Sequence, residues 1–185
     1  MNFEISKRGN PHFSKIHPFL ADLIKEVAED PWEDYPEGGS RLLPPPGTDE
    51  ELLMDWADHV QPDLRRRFQE DRLLVSHDIG TMKLGKGKHP VWSLEIPEDH
   101  VDAWLTTLNA LRLAIVTEHG FSEEQLAHKT APDLSTLHGI ALLKVNFYAF
   151  LQECLLQGME LGNDDGAGSG DENGGDENGD ALNSD

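Results

Sequence analysis

At helical spacing the apolar side of "DAWLTTLNALRLAIV", Asp102 to Val116, runs Val101, Trp104, Leu105, Leu108, Leu111 and Ile115, and Arg112 falls within it. A guanidinium keeps its proton, so it must snorkel to solvent or meet groups that accept from its donors. Asn109, one helical turn earlier, can act with it. Two chemistries follow: a polar knot that fixes how helices dock, or a cation that anchors a ligand in a pocket. A solvent-open pocket beside Arg112 would favour the ligand, and a closed knot would favour structure.

Other residue patterns that could do chemistry fall short on inspection. "GTMKLGKGK" holds Gly80, Gly85 and Lys86 at P-loop spacing, but Gly87 stands where magnesium needs a hydroxyl, and a strand candidate follows where a helix should open. Asp176, Asn178 and Asp180 begin a calcium-loop pattern that Ala181 breaks, and the chain stops before the bidentate acid. Nine histidines are scattered without a His-Glu-x-x-His motif or cysteine pairs. His77 with Asp78 is too short a pattern to claim a metal-dependent phosphohydrolase. Carboxylate pairs such as Glu33 with Asp34 are expected by chance among 35 acidic residues. The lone Cys154, among leucines, reads as a buried small hydrophobe in a reducing compartment. No catalytic residue, metal or cofactor is expected.

The elements that must position Arg112 are mostly helical. Phe3 to Ser6 alternates like a short strand, and Pro18 opens a helix with Leu20, Leu23, Ile24 and Val27 on one face. "PWEDYPEGGSRLLPPPG" predicts an irregular connection that packs through Trp32, Tyr35, Leu42 and Leu43. Thr48 and Glu51 announce a helix with Leu53, Trp56 and Val60 on its apolar side, continued by Leu64 and Phe68 past a break or kink at Pro62. "VWSLEI" is a strand candidate that could pair with the N-terminal one. The Arg112 helix ends near Gly120, and a last, central helix runs from about Ser135 to Leu161.

The formal charge is −20, and the eight acidic residues from Asn163 to Asp185 leave −12 on the rest. An acidic body repels phosphate backbones, which argues against nucleic-acid binding; Arg65, Arg66 and Arg67 read as a solvated face interleaved with acids. No signal peptide and no stretch apolar enough to span a bilayer is read, so the expected setting is cytoplasmic.

"RLLPPPGTDEELLMDWADHVQPDLRRRF", "DAWLTTLNALRLAI" and "FYAFLQECLL" together resemble the bacterial domain-of-unknown-function family numbered two thousand and seventeen. The matching positions are Arg41, Leu42 and Pro44; Asp55 and Trp56; Trp104, Leu105, Leu108, Asn109, Arg112 and Leu113; and Leu151, Gln152 and Glu153. The resemblance implies no catalytic residues. It hints at regulation or proteolysis, because members are often encoded beside a Clp-protease adaptor. A redox-sensing transcriptional role would need two thiols, and Cys154 is alone. On this reading Glu153 is the expected partner of Arg112, and Asn109, Arg112 and Glu153 form the polar knot or ligand site.

The expectation is therefore a compact, mainly α domain over residues 1–161 with a small two-stranded antiparallel element, then a disordered acidic tail over 162–185. The expected function is that of a noncatalytic regulatory or adaptor protein, with a protein partner in the transcription or Clp-proteolysis machinery. The alternative is a small-ligand-binding protein or enzyme using a polar pocket around Arg112.

Overall fold

The computed structural model describes residues 1–29, 43–127 and 132–164. The Trp32, Tyr35 and Leu42 contacts and the calcium-like pattern fall outside the described residues, as does the chain from 165 onward. Mostly helical, the fold carries a four-stranded antiparallel sheet in the order β1-β2-β4-β3, made of β1 (Asn2–Ile5), β2 (Pro11–Ile16), β3 (Lys83–Leu84) and β4 (Trp92–Glu95). The sheet is larger than the expected strand pair, and β1 pairs with β2 instead of β4.

The missed central strand has a physical explanation. Phe13 and Ile16 are both buried, a spacing of three that a regular strand cannot put on one face. A bulge between them restores it, with Lys15 in the left-handed region at φ 51°. The alternation that marks a strand is lost there. β3 is two residues long and lies in the glycine and lysine loop, which forms a β3–β4 hairpin closed by Gly85 N–H donating to the Val91 carbonyl. Gly80 ends a helix, so the P-loop topology is absent.

Six α-helices lie among the described residues, in chain order α1 (Pro18–Glu29), α2 (Glu50–Asp55), α3 (Gln61–Gly80), α4 (Val101–His119), α5 (Glu123–Ala127) and α6 (Leu137–Asp164). A 3₁₀ turn, Glu98–His100, leads into α4. Asp49 caps α2 by accepting from Leu52 N–H, at 3.0 Å. Between α2 and α3 the backbone winds one π turn, Trp56–Val60, so that Gln61 N–H reaches the Trp56 carbonyl. That turn is the answer to Pro62. A proline inside an α-helix has no N–H and clashes with the carbonyl four residues back, and a wider turn relieves both defects without ending the helix. Residues 50–80 therefore form one helical rod, about 45 Å long by the helical rise.

The core lies between the sheet, α1, α4 and α6, around Trp104, Tyr148, Phe13, Ile24, Leu108 and Leu155. α4 and α6 form its largest helix pair, and Gly120 ends α4 at φ 63°. Tyr148 donates its hydroxyl to the Leu23 carbonyl at 3.1 Å, joining α6 to α1. Near its end α6 crosses β1 at Gly158, where a Cβ would meet Ile5 Cδ1 at 2.8 Å. α6 extends to Asp164, three residues into the expected tail. By length and composition Leu137–Glu160 is also able to cross a membrane, which the sequence reading had denied to every stretch. Its Ala141, Val145, Tyr148, Leu151 and Leu155 are instead buried in the core.

Candidate functional site

Arg112 is held half-buried at the edge of the α4–α6 interface. Its Nη1 donates to Gln152 Oε1 at 2.6 Å, and Gln152 Nε2 donates in turn to the Leu105 carbonyl at 3.1 Å. Gln152 thereby ties the guanidinium to the backbone of α4 one position before the residue expected to do so. Glu153 points away, is exposed, and accepts from Gln157 Nε2 at 2.9 Å. The correction follows from helix geometry: consecutive residues diverge by about 100°, so only one can face α4. Asn109 is exposed and takes no part in the knot.

A neutral amide cannot neutralise a cation. Burial lowers the pKa of Arg112, and its Nε is buried without a hydrogen-bond partner. Among the described residues two clefts stand out, and Arg112 lines neither. One, about 340 Å³, lies between α1 and α3 along Ala28, Gln69, Leu73 and Ser76. The other, about 230 Å³, opens on the outer face of the sheet among Arg8, His12, Lys83 and Glu95. There the Glu95 carboxyl is held below its usual range, first by the hydrogen bond from Asn10 and then by Arg8, His12 and Lys83.

A second polar cluster was not foreseen. Asp78, only 2% exposed, ends α3 against the start of α4. His100 Nδ1 lies 3.0 Å from both of its carboxylate oxygens, and Trp104 Nε1 donates to Oδ2 at 2.9 Å. His100 and Trp104 stand one helical turn apart, so both reach the same carboxylate. Thr81 adds a hydroxyl donation to the Asp78 backbone carbonyl at 2.7 Å. A histidine oriented by a carboxylate is the base half of many catalytic sites. Here Asp78 serves His100 and a buried indole together, and no nucleophile is hydrogen-bonded to His100 among the described residues. The arrangement clamps α3 to α4. The signal in the sequence was Trp104, whose N–H must find an acceptor when the ring is fully buried.

The histidine ring pair His119 and His138 sits at the other end of α4, with Phe121 4.3 Å from His138 by ring centroids. Among the described residues no group of three or more metal-ligating side chains occurs. Cys154 is buried, and burial, then Glu153, raises its thiol pKa.

The rod differs from the rest of the molecule. Neither α2 nor the π turn contains a buried residue, and in α3 only Val75 and Asp78 are buried. Phe68 packs on the core, but Leu53, Trp56, Val60 and Leu64 of the same apolar stripe do not. Met54 is 67% exposed, Val60 44% and Leu73 70%. Arg65, Arg66 and Arg67 are solvated as expected, with Arg66 bound to Asp63 at 3.2 Å and Glu70 at 3.5 Å.

The family model described as a domain of unknown function (DUF2017) matches residues 17–159. No curated protein and no solved structure matches the chain.

Proposed function

Because the chain belongs to the DUF2017 family, we propose that it is a noncatalytic regulatory or adaptor protein of the bacterial cytoplasm that works through protein contacts. The observation that carries this reading is the rod: its N-terminal half contains no buried residue, and among the described residues Leu53, Trp56, Val60 and Leu64 do not join the core. An apolar stripe left outside the core is what a contact surface requires. The buried polar groups of the body support the same reading, since Asp78 is occupied by His100 and Trp104, and Gln152 by Arg112 and Leu105. A partner in the transcription or Clp-proteolysis machinery is suggested by the family resemblance alone.

Capture from bacterial cytosol with the full chain as bait tests the proposal. A partner retained by the parent and by Arg112→Met, and lost by Leu53→Asp with Leu64→Asp, supports it. Capture that ignores the rod, or none, counts against it. One observation favours the ligand alternative, the buried and unpartnered Nε of Arg112. A small anion that raises the melting temperature of the parent and leaves Arg112→Met unmoved would establish that reading instead.

A further inference from the structure

The cations of this acidic chain are unevenly placed. Residues 1–17 and 81–96, which hold the sheet and its two hairpin connections, carry six of the fifteen lysines and arginines: Lys7, Arg8, Lys15, Lys83, Lys86 and Lys88. Glu4 and Glu95 are the acids there, so this layer has a formal charge of +4 in a chain of −20. The register gathers the charges on one side. Phe3, Phe13 and Leu94 pair across β1, β2 and β4 toward the core, so Glu4, His12 and Glu95 share the outer face, and Lys83, opposite Ser93, joins them. Lys7 and Arg8 sit at one end of the strands, in the β1–β2 turn, and Lys86 and Lys88 at the other, in the β3–β4 loop. Glu4 is engaged by His12 and Glu95 by Asn10, each at 3.0 Å. The six cations are exposed, and none has an ion pair among the described residues.

The complementary charge is in the same chain. α6 crosses β1 at Gly158 and ends at Asp164, and residues 165–185 then hold seven acids with no lysine or arginine, among them the doublets Asp171 with Glu172 and Asp176 with Glu177. Between Gly158 and Asp164 the helix rises about 9 Å. Four strands measure about 14 Å across. The seven residues from Asp164 to Asp171 span up to about 23 Å. The first doublet therefore reaches every strand, whichever way α6 leaves the sheet.

We propose that residues 165–185 dock on the outer face of the sheet, their acid doublets against Arg8, Lys83, Lys86 and Lys88, and so keep other polyanions from it. The tether holds the acids near the sheet at roughly millimolar effective concentration, which lets individually weak, exposed charge pairs act together. This proposal is independent of the rod and leaves it open. Nucleic acid is the other polyanion that a basic sheet face suits. Proteins hold single strands by stacking bases on aromatic rings, and the outward positions of β1, β2 and β4, such as Glu4, His12, Ser14, Ser93 and Glu95, include no phenylalanine, tyrosine or tryptophan.

Paramagnetic broadening of amide signals in the full, isotope-labelled chain tests the contact, with a nitroxide on Gly174→Cys in a Cys154→Ala background and circular dichroism as the check on folding. The reference is the same labelled chain with a neutral tail, Asp171→Asn, Glu172→Gln, Asp176→Asn and Glu177→Gln, which keeps the tether and removes the charge. The amides of Arg8, Lys83, Lys86 and Lys88 should broaden at least about twofold more than in the reference, and the excess should vanish between about 0.01 M and 1 M salt as the Debye length falls from about 30 Å to about 3 Å. Lys83→Glu, Lys86→Glu and Lys88→Glu together should abolish the excess. Adding lysines at the four tail positions should restore it, because both signs are exchanged while the core is untouched. Broadening equal to the reference, broadening confined to the end of α6 and β1, or a charge exchange that restores nothing overturns the proposal. A short oligonucleotide that binds the sheet at least about tenfold more tightly once the tail is neutral supports it. One that binds the parent and the neutral-tail chain alike overturns it in favour of a nucleic-acid surface.

Discussion

Replacing Asp78 by alanine should be among the most damaging single changes to this fold. The substitution removes the acceptor for Trp104 Nε1 and both contacts of His100 Nδ1, in a place where Asp78 is 2% and Trp104 1% exposed. Hydrogen bonds to a charged acceptor are worth about 1.5–3 kcal/mol each, and a buried donor left without an acceptor costs about 1–3 kcal/mol. Removal of the buried carboxylate itself recovers part of that sum, because its desolvation ends with it. The net expectation is a loss of about 3–5 kcal/mol, a large share of the roughly 5–15 kcal/mol that holds a domain together. Urea unfolding followed by tryptophan fluorescence reads the change as a shifted midpoint at an unchanged slope. Trp104→Phe keeps the ring and deletes only the donor, so it should cost about 1–2 kcal/mol. In the double variant the orphaned indole no longer exists, and the two losses should fall short of adding by at least about 1 kcal/mol. A loss under about 1 kcal/mol for Asp78→Ala, or strict additivity with Trp104→Phe, would refute the clamp.

Three further outcomes are expected. Thr107 is buried with its hydroxyl unpartnered, so Thr107→Val should raise stability by about 1 kcal/mol, visible as a higher melting temperature. The Asp71 carboxyl is pushed above its usual range by burial, then by Glu70 and Asp102, with Arg67 opposing. Below the ordinary aspartate pKa it is protonated whether folded or unfolded; the penalty on folding builds as pH rises from that ordinary value to the raised folded one and is complete above it. Asp71→Asn should therefore leave stability unchanged in acid and increase it at neutral pH, by urea titration at both. Gly158→Leu should cost about 1–3 kcal/mol, because the side chain would enter the space of Ile5 and Phe3, and hydrogen exchange of β1 should rise with it.

What could be read from the sequence was whatever leaves a periodic or compositional mark. The start of α1, the end of α4 at Gly120 and the burial of Cys154 were legible because proline, glycine and an apolar neighbourhood act locally, whereas the cap of α2 was read as Thr48 and is its neighbour Asp49. β2 was hidden by its bulge, which sets Phe13 and Ile16 on one face at a spacing that resembles no strand. The π turn was visible only as trouble at Pro62, since periodicity says that a helix is disturbed without saying how the backbone absorbs it. In the candidate site Arg112 was legible as a charge on an apolar face, yet its partner was misassigned by one residue, the smallest error that turns a side chain away. Asp78 with His100 and Trp104 joins residues 22 and 26 positions apart, and nothing local to any of them announces the other two.

The crossing of α6 over β1 at Gly158 also sets an order of events when the chain is made. β1 leaves the ribosome before the other described elements, and the helix that covers Phe3 and Ile5 is the last of them to emerge. Until then β1 can pair with β2, but its apolar side stays open to water and to other nascent chains. Contacts of such long sequence separation form late and leave early intermediates exposed to aggregation. A truncation that stops short of Gly158 should therefore yield a chain whose helices form while its sheet edge remains adhesive. The last turns of α6 thus act as the closing fastener of a fold whose earliest described strand waits for them.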